Sequence, residues 1–315
     1  MQITSIFKNK TSVAQRARPS VETRFKRHMG LILISPWLIG LLVFKLAPII
    51  ASFYFSFTDF FLLTPEQTQF TGLRNIEIIL RDTEAWTAFG QTVKLAFIII
   101  PLQTFASICV AALLSSRRLL KRDLLRTLFF LPSIIPAFSA ALMWQGYVNP
   151  DTGWLNRLIL DPVGLSALNH FYSRGASQSL FILSSLWTIG PGILIMMGAM
   201  QGISIEIYEA ALMDGADRLT RFFKITIPLI TPAIFFSLVL NLTAVFGGAM
   251  LLDRGSRWHN DFSSFDGYIN YALFDMFHFG YASSLAWFFF VFVMIVVLIL
   301  FGTSKYWVYF PDREK

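Results

Sequence analysis

Six runs of apolar residues, separated by polar and charged segments, divide the chain. They fall at about residues 31–57, 93–114, 124–144, 180–200, 227–250 and 283–301. A bilayer core is crossed by roughly 20 apolar residues in helical form, and each run meets that length. The pattern predicts an all-α polytopic membrane protein with six transmembrane helices. Residues 30–302 form the six-span domain, with a basic tail over 1–29 before it and a short tail over 303–315 after it. The first span is expected to be kinked or tilted. The first run holds Pro36, Lys45 and Pro48, the third holds Pro132 and Pro136, and the fourth holds Gly190, Pro191 and Gly192. Proline removes a helical hydrogen bond, a loss that membrane helices tolerate where neighbours satisfy the freed backbone.

Composition narrows the class. Hydrophobic residues make up 55% and charged residues 14% of 315, against about 25% charged in soluble domains. A disordered chain and an ordinary soluble enzyme are both excluded. Cys109 is the one cysteine, so neither an internal disulfide nor a Cys-based metal site is available. In a soluble protein the net charge of +7 would raise nucleic acid as a partner; here it reads as topology, and no nucleic acid is expected. The first tail, the second-to-third connection, the fourth-to-fifth connection and the last tail together hold 18 Lys/Arg, whereas the opposite connections hold six. By the positive-inside rule both termini are cytoplasmic, which agrees with an even number of spans. The first tail does not read as a cleaved signal peptide, because the apolar run after it is too long. It is either a disordered leader or an arm on anionic membrane lipid.

Enzyme chemistry is missing from the pattern. There is no G-x-x-x-x-G-K-[S/T], no H-E-x-x-H and no G-x-S-x-G, so neither a P-loop nor these hydrolase signatures is present. His28, His170, His259 and His278 do not pair at ligand spacing, and no metal or cofactor is expected in this chain. The apolar runs lack paired carboxylates, and Lys45 is their main ionisable residue. The chain reads as the scaffold of a path.

The fourth-to-fifth connection, residues 201–228, is the informative segment. Ser204 stands where a helix N-cap belongs, and Glu206 and Glu209 fall in the first turns, where the helix dipole favours acids. Asp214-Gly215 is a stop signal, since glycine adopts the left-handed conformation at a helix end. A second helical stretch starts near Asp217. The short helix so defined presents Ala210 and Ala211 to a partner. An amphipathic helix lying on lipid is the other reading, and its acidic residues oppose it, because the cytoplasmic leaflet is negative.

The segment Glu209-Ala210-Ala211, then Gly215, Ile225 and Ile227-Pro228, resembles the EAA motif of ABC importer permeases, with Ile227 where leucine is usual. The likeness extends to the carbohydrate, maltose-type branch. It is carried by Ser35-Pro36-Trp37, by Pro48 and Ser56-Phe57-Thr58-Asp59, by Phe70 to Asn75, by Phe130-Leu131-Pro132 and Trp144, by Gly153 to Asn156, and by Phe279-Gly280-Tyr281-Ala282. A Thr-x-Gly-Gly-Pro stretch common in relatives is replaced by Asp253 to Trp258. The resemblance implies a multi-pass subunit of a bacterial inner (cytoplasmic) membrane importer. Its implied partners are a second homologous permease, two cytoplasmic ABC ATPase subunits that bind the ATP, and a periplasmic solute-binding protein. Glu206, Glu209, Ala210, Ala211, Asp214 and Gly215 would couple ATPase closure to the spans, and the implied solute is a carbohydrate.

Polar residues at membrane depth face protein or a water-filled cavity. Thr188 on the fourth span and Asn241 and Thr243 on the fifth are therefore path candidates, as are Gln145 and Asn149 at the end of the third. Interhelical hydrogen bonding is the alternative for each. The segment after the fifth span adds Arg254 and Trp258. Sugars dock on aromatic faces, but aromatics also form interfacial belts. Guanidinium suits a carboxylate, so Arg254 and Arg257 point to an acidic oligosaccharide such as alginate, or else pair with Asp253 or Asp261. A neutral oligosaccharide, a glycerol phosphate and, from another class, an intramembrane glycan-processing enzyme are the alternatives.

Overall fold

The computed structural model describes residues 21–116, 119–147, 153–164, 182–246 and 264–309. Regular structure among the described residues is helical, apart from an isolated antiparallel bridge between Thr58 and Phe70. The chain divides into two compact units, Met1–Tyr54 and Phe55–Lys315. In the first, α1 (Val21–Leu41) passes through a π-turn at Leu42–Leu46 into α2 (Ala47–Phe55), whose last residue opens the second unit. Lys45 is exposed in that π-turn.

The second unit contains α3 (Arg74–Arg81), α4 (Thr83–Leu114), α5 (Arg122–Phe130), α6 (Ala137–Tyr147), α7 (residues 182–187) and α8 (Gly190–Gln201). It continues with α9 (Ile205–Met213), α10 (Arg218–Arg221), α11 (Ile227–Leu229), α12 (Thr231–Phe246), α13 (Phe265–Phe274) and α14 (Phe279–Trp307).

Among the described residues, Ile32–Phe55, Thr83–Leu114 and Phe279–Trp307 are long and apolar enough to cross a membrane. The number rises to five if Gly190–Gln201 with Ile205–Met213, and Arg218–Leu229 with Thr231–Phe246, each count as one bent span. The third apolar run is interrupted. Pro132 sits in a 3-10 turn at Leu131–Ile134, and Ile135 is extended before Pro136. Proline's ring disfavours helical backbone in the residue before it, so α5 and α6 are separate helices. The last apolar run is instead longer than predicted, because α14 continues to Trp307.

α4 is the spine of the second unit. Its buried positions include Ala85, Ala88, Thr92, Ala96, Ile100, Thr104, Ser107, Ala111 and Leu114, spaced three or four apart along one face. Three buried clusters are stacked along that face. Ala85 and Ala88 pack with Phe265, Tyr268, Leu285 and Phe289 of α13 and α14. Leu95 and Ile99 pack with Leu242 and Val245 of α12. Ala111 and Leu114 pack with Ile193, Met196 and Met197 of α8 and with Ile230.

The start of α4 is fixed by Asp82. One carboxylate oxygen accepts the N–H groups of Glu84 and Ala85, each at 3.0 Å, and caps the helix. The other accepts the hydroxyls of Tyr268 and Tyr281, tying α13 and α14 to the cap. Burial pushes Asp82 up, but the two tyrosine hydroxyls and the two N–H groups outweigh it and hold the carboxyl below its usual range. Burial, then the adjacent carboxylate, pushes Tyr268 well above the tyrosine range. A lowered carboxyl pKa contributes stability above about pH 4 that is lost as the pH falls. The raised Tyr268 acts in the opposite sense, with stability lost as the pH climbs past about 10. Asp82→Ala is expected to cost about 1–2 kcal/mol at pH 7. It is also expected to flatten the acid limb of a detergent melting curve between about pH 5 and 3; an acid limb as steep as the native one would contradict this.

Candidate functional site

Two features of the second unit bear chemistry. The first is the turn around α9. Ser204 occupies the N-cap with extended backbone, but its side chain makes no capping bond. Gly215 adopts φ +77°, and the helix closes there in a Schellman arrangement. The N–H of Ala216 donates to Ala211 O at 2.9 Å, and the N–H of Gly215 to Leu212 O at 3.0 Å. Asp217 then caps α10, accepting from the N–H of Thr220 at 2.9 Å. α8 and α9 meet at 66°, and the stretch Arg218–Leu229 meets α12 at 64°. α9 is thus a short cross-piece between two long elements. Glu206, Glu209, Ala210, Asp214 and Gly215 are exposed on it, and Ala211 is half-buried. Ile205, Ile207, Leu212 and Met213 are exposed as well, Met213 at 89%. Apolar side chains clustered at an exposed turn form the kind of patch that meets a protein partner or lipid.

The second feature is a cavity of about 450 Å³ between α4, α6, α7, α8 and α12. Gln103, Ser107, Ser184, Ser185, Thr188, Ser237 and Asn241 supply its amides and hydroxyls, and Trp144 an aromatic wall. Among the described residues no charged side chain lines it. Gln103 Nε2 donates to Ser185 O at 2.9 Å, and Asn241 Nδ2 donates to Thr104 Oγ1 at 3.3 Å. The Thr188 hydroxyl bonds back to Ser185 O at 3.2 Å. The Nε1–H of Trp144 is buried without a partner among the described residues. Gly192 gives the cavity its width there, because a Cβ would lie 2.5 Å from Ser107 Oγ.

The structure brings Thr188 and Asn241 together, and Gln145 lies on α6, next to Trp144. Thr243 is off the cavity. It is exposed, and its hydroxyl donates within α12 to Leu240 O at 2.8 Å. Two residues apart on a helix is about 200° of rotation, so Asn241 and Thr243 cannot face one cavity. Asn149, Arg254 and Trp258 lie outside the described residues. The sequence pattern does not single out Gln103, Ser107, Ser184, Ser185 or Ser237. A signal exists for α4, where Gln103 and Ser107 are four apart in a mostly apolar run.

Residues 103–310 match the family described as "Binding-protein-dependent transport system inner membrane component". The chain belongs to this family. Its members are permeases, which makes the chain a membrane transport subunit and sets aside the glycan-processing enzyme. It is 35% identical over 298 residues to the "Probable ABC transporter permease protein YesP" of Bacillus subtilis, covering 91% of this permease and 93% of that one. It is 31% identical over 213 residues to the "Trehalose/maltose transport system permease protein MalF" of Thermococcus litoralis, covering 67% and 71%. The permease fold is also that of a chain in the crystal structure of a bacterial alginate ABC transporter in complex with an alginate pentasaccharide-bound periplasmic protein. That match has a TM-score of 0.75 at 21% identity, covering 90% of this chain and 97% of that one.

Proposed function

We propose that the chain is one of a pair of permease subunits in an ATP-driven, binding-protein-dependent importer of oligosaccharides. The observation that carries the solute class is the cavity lining: uncharged amides and hydroxyls with one tryptophan face, the groups that pair with sugar hydroxyls and stack on sugar rings. In this reading the six-run pattern is six spans with both termini cytoplasmic. α9 is the EAA coupling helix, on which Glu206, Glu209 and Ala210 meet an ABC ATPase. The ATP is bound by two such partners, and a periplasmic binding protein delivers the sugar. The neutral lining favours a neutral oligosaccharide. An acidic sugar such as an alginate fragment is the second reading, supported by Arg254 and Arg257 in the sequence and by the alginate transporter with which the chain shares its fold.

The test is uptake by the reconstituted complex. Labelled maltotriose, arabinotriose, an alginate trisaccharide and glycerol 3-phosphate are offered with and without ATP and the binding protein. ATP-dependent uptake of an oligosaccharide is expected. Asn241→Leu and Gln103→Leu are expected to lower it about tenfold or more with assembly intact, as losing hydrogen bonds to a bound solute costs about 1–3 kcal/mol. ATP hydrolysis or sugar accumulation by the purified chain alone would end the reading, and uptake of glycerol 3-phosphate alone would replace the solute.

A further inference from the structure

The chain's EAA-like segment places a tyrosine, Tyr208, immediately before Glu209, and its hydroxyl lies 2.8 Å from Thr226 Oγ1. Thr226 is 7% exposed and ends a π-turn at Phe222–Thr226. Its own hydroxyl reaches Arg221 O at 3.4 Å. With the Thr226 proton directed at that carbonyl, the Tyr208 O–H donates to Thr226, and each proton has an acceptor. Among the described residues this is the one side-chain hydrogen bond that ties α9 to the chain beyond Gly215.

The bond matters because of what holds α9 otherwise. At its start the chain turns through Gly202, and at its end through Gly215, whose φ is +77°. Gly202 has ordinary helical backbone, so the left-handed turn at Gly215 is the flexible joint that a bond from the middle of α9 would brace. Thr226 is itself anchored. Ile230 donates its N–H to Thr226 O at 3.1 Å, and Ile230 is fully buried with Met196 and Met197 of α8 and with Ala111 and Leu114 of α4. The path from α9 runs through Tyr208 to Thr226, and from there into the packed feet of three long helices. π-turns recur where a helix serves a function, and this one sets the Thr226 hydroxyl toward α9.

We propose that Tyr208 is a positioning residue for energy coupling: its bond to Thr226 makes α9 and the foot of α12 move as one body. This rests on the importer reading. Tyr208 does not touch nucleotide or solute; it acts through Thr226.

The test uses the chain in its full complex with ATPase and second permease, in proteoliposomes. Ser185→Cys in a Cys109→Ser background reports on the cavity, through its rate of modification by a positively charged methanethiosulfonate reagent with and without ATP and vanadate. Y208F is expected to cut the nucleotide-driven change in that rate about fivefold, equivalent to about 1 kcal/mol. ATP hydrolysis and ATPase co-purification should stay native. T226V reproduces the loss, T226S keeps the native response, and Y208F with T226V is no worse than either alone, as expected for one shared bond. A native response in Y208F, or losses that add in the double variant, overturns the brace. Loss of ATPase co-purification in Y208F also overturns it, since Tyr208 would then be a docking residue. If the unaltered Tyr208 chain shows no nucleotide response, the importer reading itself fails, and that is seen before any Tyr208 variant is compared.

Discussion

Gly215→Pro is expected to leave membrane insertion normal and to break the link between ATP hydrolysis and uptake. Proline fixes φ near −65°, whereas Gly215 holds +77°. Proline also removes the N–H that donates to Leu212 O. The Schellman closure is lost and the direction of the chain into α10 changes. Gly215→Val keeps the N–H but still meets a left-handed cost of roughly 1–2 kcal/mol. Glu209→Lys separates folding from docking. Glu209 is exposed, and losing a charge at a helix end costs about 0.3–1 kcal/mol. Losing a contact buried under a partner costs about 2 kcal/mol or more. Glu209→Lys and Gly215→Pro are therefore expected to lower ATPase co-purification, or uptake per ATP hydrolysed, by about tenfold or more. Full assembly and full coupling in both variants would remove α9 from the mechanism.

Gly280→Ala is expected to be the most damaging single-methyl change in the second unit. A Cβ there would lie 2.2 Å from Thr58 O and 3.0 Å from Phe60 N. Both are backbone atoms that cannot rotate away. Their positions are held from several sides. Gly280 N–H donates to Phe60 O at 3.0 Å. Asn75 Nδ2 donates to Ser56 O and Thr58 O at 2.9 and 2.8 Å, and Ser284 Oγ donates to Ser56 O at 2.6 Å. Overpacking of this kind costs about 1–3 kcal/mol or more and should lower the detergent melting temperature by several degrees. Gly90→Ala and Gly198→Ala are the controls. Nothing lies within 4 Å of a Cβ at either position, and alanine in a helix interior is favoured by roughly 0.5–1 kcal/mol. Equal melting temperatures for Gly280→Ala and the controls would refute the clash.

The knot around Gly280 explains why scattered sequence motifs carry the family likeness. Ser56 to Asp59, Phe70 to Asn75, and Phe279 to Ala282 are far apart in the chain, yet Asn75, Thr58 and Gly280 meet at one place. The sequence shows that each motif is present, but their convergence depends on tertiary packing. Helical character was legible from the apolar runs, and the left-handed turn from Asp214-Gly215. The break between α5 and α6 was not read from the sequence, where residues 124–144 form one apolar run with Pro132 and Pro136 tolerated in it; the structure instead has a 3-10 turn and an extended residue there. The cavity was legible at Thr188 and Asn241 but not at Ser184, Ser185 or Ser237. Serines in a membrane helix often bond back to their own backbone, as Ser185 does to Ile182 O, and sequence provides no rule for which ones also line a cavity. Thr243 fails for a geometric reason, being two positions from Asn241 on the same helix. The Tyr208–Thr226 pair spans 18 residues and a glycine turn, beyond the reach of any local periodicity.

The spine role of α4 also sets a clock for biogenesis. Three of its polar side chains also bond to segments synthesised much later: Gln103 donates to Ser185 O, and the Thr104 and Thr92 hydroxyls, which donate to Ile100 O and Ala88 O within α4, accept from Asn241 Nδ2 and the N–H of Phe265; these partners are 82, 137 and 173 residues downstream. At about 5–20 residues per second, α4 waits on the order of ten seconds or more from its own synthesis to that of its last partner. Until α7 is made, the Gln103 amide of the future cavity wall lacks its acceptor at Ser185 O, so a nascent permease stalled before α7 leaves that amide to water, lipid headgroups or an insertion chaperone.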